Sequence, residues 1–130
     1  MPSRELLAAV LRGDITALKP LGHEPWAKVE LAARSAEPLV LRPDAIVRVL
    51  AGLREGTIET DEAQAWASFV RRGYLAGGLE PIHAIGIEYD RKNEDAIADV
   101  VARLDGLGDD IDGEIDSAEL RELEMRLHSS

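Results

Sequence analysis

Apolar side chains recur at helical spacing in five places along the chain. Leu6, Leu7, Val10 and Leu11 form the first stripe. Ile46, Val49, Leu50 and Leu53 form the second, and Ala63, Trp66, Phe69, Val70 and Tyr74 a broader third. Ile97, Val100, Val101 and Leu104 make the fourth and most regular, and Leu120, Leu123 and Leu127 the fifth. Residues three and four apart share one side of a helix, so each stripe predicts an amphipathic helix with one core-facing side.

Terminal signals bracket these stripes. Ser3 is positioned to cap the first helix, with Glu5 near its positive end, and Gly13 stops it. Asp14-Ile15-Thr16 begins a second short turn, which Pro20 and Gly22 are expected to end. Pro43 suits the first turn of a helix over Asp44–Glu55, closed by Gly56. Thr60 is the expected N-cap of the next helix, and Gly73 or the Gly77-Gly78 pair its stop. Asn93 is the expected cap for Glu94–Leu104. The last helix runs from Ser117 to about Leu127, with Asp116 and Glu119 spaced as a capping box.

Two regions lack this clarity. After Pro25, a helix would turn Trp26, Val29, Ala33 and also Leu31 inward, but alanine pads the segment without defining a face. Leu39-Val40-Leu41 is a brief extended apolar run. In 82–89, Ile85, Ile87 and Tyr89 alternate with Gly86 and Glu88. One short strand cannot form a sheet, so this region reads as an extended packing segment. The fold class is all-α: one domain over 1–130, a compact helical bundle of four to six helices with at most one short extended segment near 82–89.

Composition narrows the function classes. The chain has 130 residues and no cysteine, which removes disulfides, thiolate metal sites and thiol nucleophiles. Its start lacks the apolar run of a signal peptide, and no apolar stretch reaches the ~18 residues of a membrane span. A cytoplasmic location is expected. The net charge is −10. Residues 1–79 hold ten acidic and ten basic side chains, whereas 80–130 hold fifteen acidic and five basic, so the whole surplus lies in the C-terminal part. A field of that sign repels nucleic acid and anionic membranes and draws in cations or basic proteins.

The densest acidic stretch is Asp105–Glu119, with seven carboxylates in fifteen residues. With Gly113 in the sixth place of an EF-hand loop, Asp110, Asp112, Asp116 and Glu119 fall in the third, fifth, ninth and twelfth ligand places. The first place is Gly108, which offers no side-chain oxygen, and a capping box accounts for Asp116 and Glu119 without a metal. No cofactor is expected. The turn Gly113-Glu114-Ile115-Asp116-Ser117-Ala118-Glu119 aligns with Gly56-Thr57-Ile58-Glu59-Thr60-Asp61-Glu62. In both, a glycine turns the chain, an isoleucine anchors it and polar residues start a helix.

Other chemical signals are weaker. Asp95 and Asp99 are four apart, with Arg91 and Arg103 in reach, a pattern typical of a solvated helix face. His23, His83 and His128 are scattered, and no nucleophile–base–acid set can be assembled. Ala76-Gly77-Gly78-Leu79 lacks the lysine and strand of a phosphate loop. Catalysis is therefore not expected, and Trp26 and Trp66 read as core.

From Arg42 to Leu127 the order of signals is a Pro-started helix, Gly-x-Ile, a Trp-bearing helix and Ile87-Glu88-Tyr89-Asp90. Asn93-Glu94-Asp95-Ala96-Ile97-Ala98, an acidic Ile111-Asp112-Gly113-Glu114-Ile115 turn and a final helix follow. This resembles the small acidic helical proteins of the bacterial self-protective colicin-like immunity type. Residues 1–40 fall outside the resemblance and read as an added helical layer. The resemblance implies a protein that binds and neutralises a basic toxin or nuclease domain by presenting carboxylates in place of phosphates. On that reading the partner-binding residues are Asp90, Glu94, Asp95, Asp99, Asp109, Asp110, Asp112 and Glu114. The alternatives are a degenerate EF-hand-like cation binder and a structural adaptor with no ligand.

Overall fold

The structure is a computed structural model that describes residues 3–35, 39–73, 85–107 and 115–129. Among these it is predominantly helical. The elements are α1 (Ser3–Leu11), α2 (Leu18–Gly22), α3 (Trp26–Ser35), β1 (Val40–Leu41), α4 (Pro43–Glu55), α5 (Thr60–Arg72), β2 (Glu88–Tyr89), α6 (Glu94–Asp105) and α7 (Ser117–Ser129). Short 3-10 turns at Ile15–Ala17 and Arg91–Asn93 precede α2 and α6. Five of the helices follow the apolar stripes and caps, and a sixth, α3, follows Pro25. The seventh, α2, is the short turn after Asp14, and Pro20 lies within its opening turn, where the missing N–H costs nothing, rather than at its end.

The stripes meet in one core. Ile46, Val49 and Leu50 of α4, Trp66 and Phe69 of α5, Ile97, Val100, Val101 and Leu104 of α6, and Leu120, Leu123 and Leu127 of α7 are all buried in a single cluster. It continues into Leu6, Leu7 and Val10 of α1 and Val29 and Ala33 of α3. The most extensive packing is between α5 and α6, followed by α4 against α7 and α1 against α3. Trp66 is fully buried, and its indole N–H donates to the Val10 carbonyl at 2.8 Å. That bond ties the end of α1 to the centre of the bundle, and it satisfies a polar atom that burial would otherwise penalise. Gly13, at φ +85°, turns the chain after α1 against α4, where a Cβ would run into the Ala45 carbonyl oxygen. A second close approach occurs at Gly52, where Ile58 folds back over α4. The Thr57 and Ile58 N–H groups donate to the Gly52 carbonyl at 2.9 and 3.1 Å, and Ile58 fills the space a side chain at Gly52 would need.

Several local expectations are corrected. Leu31 is 66% exposed on the outer side of α3, because Val29 and Ala33 already set the buried face. The N-cap of α5 is Glu59, not Thr60, and Glu62 reaches back to accept from the Glu59 N–H at 2.9 Å. Asn93 holds the N-cap position of α6 without capping it through its side chain; its amide instead donates to the Leu127 carbonyl of α7 at 3.4 Å. The extended segment near 88 is a strand, because the run at 39–41 supplies its partner. The pair is parallel, with Val40 opposite Glu88 and Leu41 opposite Tyr89. The Glu88 and Asp90 N–H groups donate to the Leu39 and Leu41 carbonyls at 2.8 and 2.9 Å. Tyr74, the 82–84 segment with His83, and the side chains of Trp26 and His128 lie outside the described residues.

Truncating Trp66 removes the largest buried side chain among the described residues and takes one of two donors from the Val10 carbonyl, which keeps the Gly13 N–H at 3.0 Å. Trp66→Ala should cost about 3–5 kcal/mol, and Trp66→Phe, which keeps most of the volume, about 1–3 kcal/mol. Urea unfolding followed by far-UV circular dichroism measures both. A Trp66→Phe variant as stable as the parent would show that the indole bond contributes nothing.

Candidate functional site

Among the described residues, the carboxylates of the C-terminal half fall into two classes once the chain is folded. The first class is neutralised internally. Asp105, the last residue of α6, has a side chain only 8% exposed, and it accepts from Arg71 of α5 at 2.8 Å with Arg72 at 3.7 Å. Gln64 of α5 donates to the Asp105 backbone carbonyl at 3.1 Å, so α5 holds the end of α6 from both sides of the residue. Glu119 of α7 takes a forked bond from Arg103 of α6, Nε to Oε2 at 2.6 Å and Nη2 to Oε1 at 3.1 Å. Arg54 of α4 donates to Glu124 at 2.6 Å, and Glu122 lies 3.8 Å from Arg126. Asp116 is occupied as the α7 cap, accepting from the Glu119 N–H at 2.8 Å.

The second class faces outward without such a partner. Glu94, Asp95 and Asp99 are exposed on α6 and make no ion pair among the described residues. Asp95, Ala98, Asp99 and Ala102 are all exposed at spacings of three and four, forming one outer stripe. Arg103 does not turn to Asp99, because its fork is matched by the carboxylate of Glu119 on the neighbouring helix. Asp90 is half-buried just before α6 and caps the 3-10 turn, accepting from the Lys92 N–H at 3.4 Å. Ala102 also lines a groove of about 780 Å³ between α5 and α6, with Asp61, Gln64, Ala65 and Ser68 on the opposite side.

The structure therefore brings Glu94, Asp95 and Asp99 together on one helix and places Asp90 at its entrance. Asp109, Asp110, Asp112 and Glu114 lie outside the described residues. So do Asp110 and Asp112 of the cation-loop alternative. Of that set, Asp116 serves as a cap, and both oxygens of Glu119 are engaged by Arg103. Among the described residues no group of three or more carboxylates or histidines is arranged to hold a metal ion, and no helix is long and apolar enough to cross a membrane.

Sequence reasoning missed a second charged surface, on the N-terminal side. Arg4 of α1, Arg12 just after it, Arg42 just before α4 and Arg48 within α4 line a groove of about 910 Å³. The even charge balance of residues 1–79 conceals this clustering. The recoverable signal is the spacing Arg4–Ala8–Arg12, which aligns the three on one side of α1.

Tyr89 of β2 sits beside the Arg71–Asp105 pair. Its phenol is pushed above its ordinary value of 10.0, first by burial; Arg71 opposes the rise and Asp105 adds to it.

No protein-family model matches the chain, and the searches of curated proteins and of solved structures found no match either.

Two outcomes follow from this arrangement. Glu119→Gln should cost about 1 kcal/mol, because the fork from Arg103 is only partly exposed yet loses its charge. Added calcium should not raise the melting temperature of the parent, since Glu119 would first have to leave Arg103. A calcium-dependent stabilisation abolished by Glu119→Gln would reverse that conclusion. For Tyr89 the sign is set by the raised folded-state value. The unfolded chain gives up this proton first as pH rises, so the stabilisation held below pH ~10 is lost on going up through the folded value. The parent should lose more stability than Tyr89→Phe across that window in alkaline urea titrations, and superimposable curves would refute the assignment.

Proposed function

We propose that this chain is an acidic protein-binding module of the immunity type, which neutralises a basic toxin or nuclease domain and performs no catalysis itself. The observation that carries the reading is the sorting of carboxylates. Asp105, Glu119 and Glu124 are matched by arginines within the fold, whereas Glu94, Asp95 and Asp99 stand exposed on the outer side of α6 and form no ion pair among the described residues. Charges that stay unmatched beside one another cost self-repulsion, and a basic partner relieves it. The exposed alanines beside them, Ala98 and Ala102, leave the carboxylates unshielded and let a partner's surface come close. On this reading Asp90, Glu94, Asp95 and Asp99, with Asp109, Asp110, Asp112 and Glu114 following in sequence, stand in for phosphates toward the partner's nucleic-acid-binding surface. Their contribution is steering and charge pairing. The setting proposed is cytoplasmic, with neither nucleic acid nor membrane as partner.

The cation-binding alternative is disfavoured by the engagement of Glu119 with Arg103. A structural adaptor with no ligand is distinguished by kinetics. The test captures partners from the source cell's lysate on the full chain and measures association of the captured basic protein by stopped-flow fluorescence at two salt concentrations. Steering is screened over about 8–10 Å at physiological salt, so association should slow steeply as salt rises. A Glu94→Gln/Asp95→Asn/Asp99→Asn variant should associate roughly tenfold more slowly or worse. Asp109→Asn/Asp110→Asn/Asp112→Asn should act in the same direction, both with unchanged far-UV spectra. If both variants associate like the parent at both salt concentrations, the acidic face is a solvated surface and the reading fails.

A further inference from the structure

The groove between α1 and the β1–α4 corner differs in kind from the acidic stripe. Its volume of about 910 Å³ is within the range of ligand sites, and four arginines, Arg4, Arg12, Arg42 and Arg48, stand around it. All four are exposed and none forms an ion pair among the described residues. One carboxylate, Asp44, shares the lining, so the groove is a strongly positive region in a chain of net charge −10. Arg48 is partly oriented already, donating to the Arg12 carbonyl at 3.5 Å. Between the guanidinium groups, Leu11 and Val40 supply apolar lining.

Val40 adds a second, independent feature. The β1–β2 ladder uses the Leu39 and Leu41 carbonyls. Successive peptide groups of a strand point in opposite directions, so the N–H and C=O of Val40 turn to the other edge. That edge has no strand neighbour among the described residues. It opens beside the arginine groove, because Val40 lines it. A free strand edge recognises extended backbone, an apolar wall takes alternate side chains, and arginines take carboxylates.

We propose that this groove receives an extended acidic peptide segment of a partner protein, which adds to the free edge of β1 while its carboxylates pair with Arg4, Arg12, Arg42 and Arg48. Residues of such a segment alternate in direction, so apolar side chains meet Leu11 and Val40 while the acidic ones reach the guanidinium groups. The surface is separate from α6 and opposite in sign, and the inference does not depend on the immunity-type reading.

The probe is a fluorescein-labelled hexapeptide of alternating glutamate and valine, titrated with the full chain by fluorescence anisotropy. Binding should weaken as salt rises and should fall about tenfold or more in Arg42→Glu/Arg48→Glu. If charge reversal perturbs the far-UV spectrum, Arg12→Gln/Arg48→Gln provides the same comparison and should also weaken binding. The same peptide with methylated backbone nitrogens should bind at least several-fold more weakly, which a purely ionic site would not show. Absence of peptide binding overturns the proposal, as does binding undiminished in folded arginine variants. Equal binding of the methylated peptide, or full displacement by succinate or inorganic phosphate at concentrations comparable to the peptide, would identify a site for small free anions and would also overturn it.

Discussion

The bond from the Trp66 indole to the Val10 carbonyl is the contact on which the arrangement of layers depends. Trp66 lies at the middle of α5, which packs against α6, and Val10 lies at the end of α1, which packs against α3. A buried indole N–H without an acceptor is costly, so the two layers are held in one relative position rather than in any arrangement that covers apolar surface. The close turn at Gly13 against Ala45 acts on the same joint from the α4 side. The alignment that brings Arg4 and Arg12 to the same groove as Arg42 and Arg48 follows from that joint.

Arginines then decide which acidic groups remain available. Arg71 and Arg72 converge on Asp105, Arg103 forks onto Glu119, and Arg54 reaches Glu124. Each pair links two helices, α5 to α6, α6 to α7 and α4 to α7, so charge is spent where helices meet. The carboxylates on the outer side of α6 form no ion pair among the described residues. Helix packing thus separates structural carboxylates from exposed ones, although the residue types are the same. The molecule carries two surfaces of opposite sign, a stripe of carboxylates on α6 and a groove of arginines at α1 and α4.

Much of the helical framework was readable along the chain because its causes are local. The stripe at Ile97, Val100, Val101 and Leu104 needs only the helical repeat, and Asp116 caps α7 through a bond three residues long. Where the expectation went astray, a distant group had intervened. Asn93 sits at the α6 cap position, but its amide turns to the Leu127 carbonyl. Arg103 passes over Asp99, four residues away, for Glu119, sixteen residues away. The strand at Glu88–Tyr89 required a partner at Val40–Leu41, and no local pattern joins those two segments. For the acidic face, sequence identified Glu94, Asp95 and Asp99 as surface groups; that they form no ion pair among the described residues became visible only against the pairs formed by their neighbours.

Sequence alone determined the all-α class, the stripes that build the core and the concentration of negative charge after residue 79. Helical periodicity, capping and net charge are properties of neighbouring residues or of simple sums, so they survive without knowledge of the fold. The tertiary structure decided how those charges are used. It set the pairing of β1 with β2, the neutralisation of Asp105, Glu119 and Glu124, and the gathering of Arg4, Arg12, Arg42 and Arg48 around one groove. Each of these joins residues from different elements, and an ion pair or a strand pair depends on distances of a few ångströms that packing alone establishes.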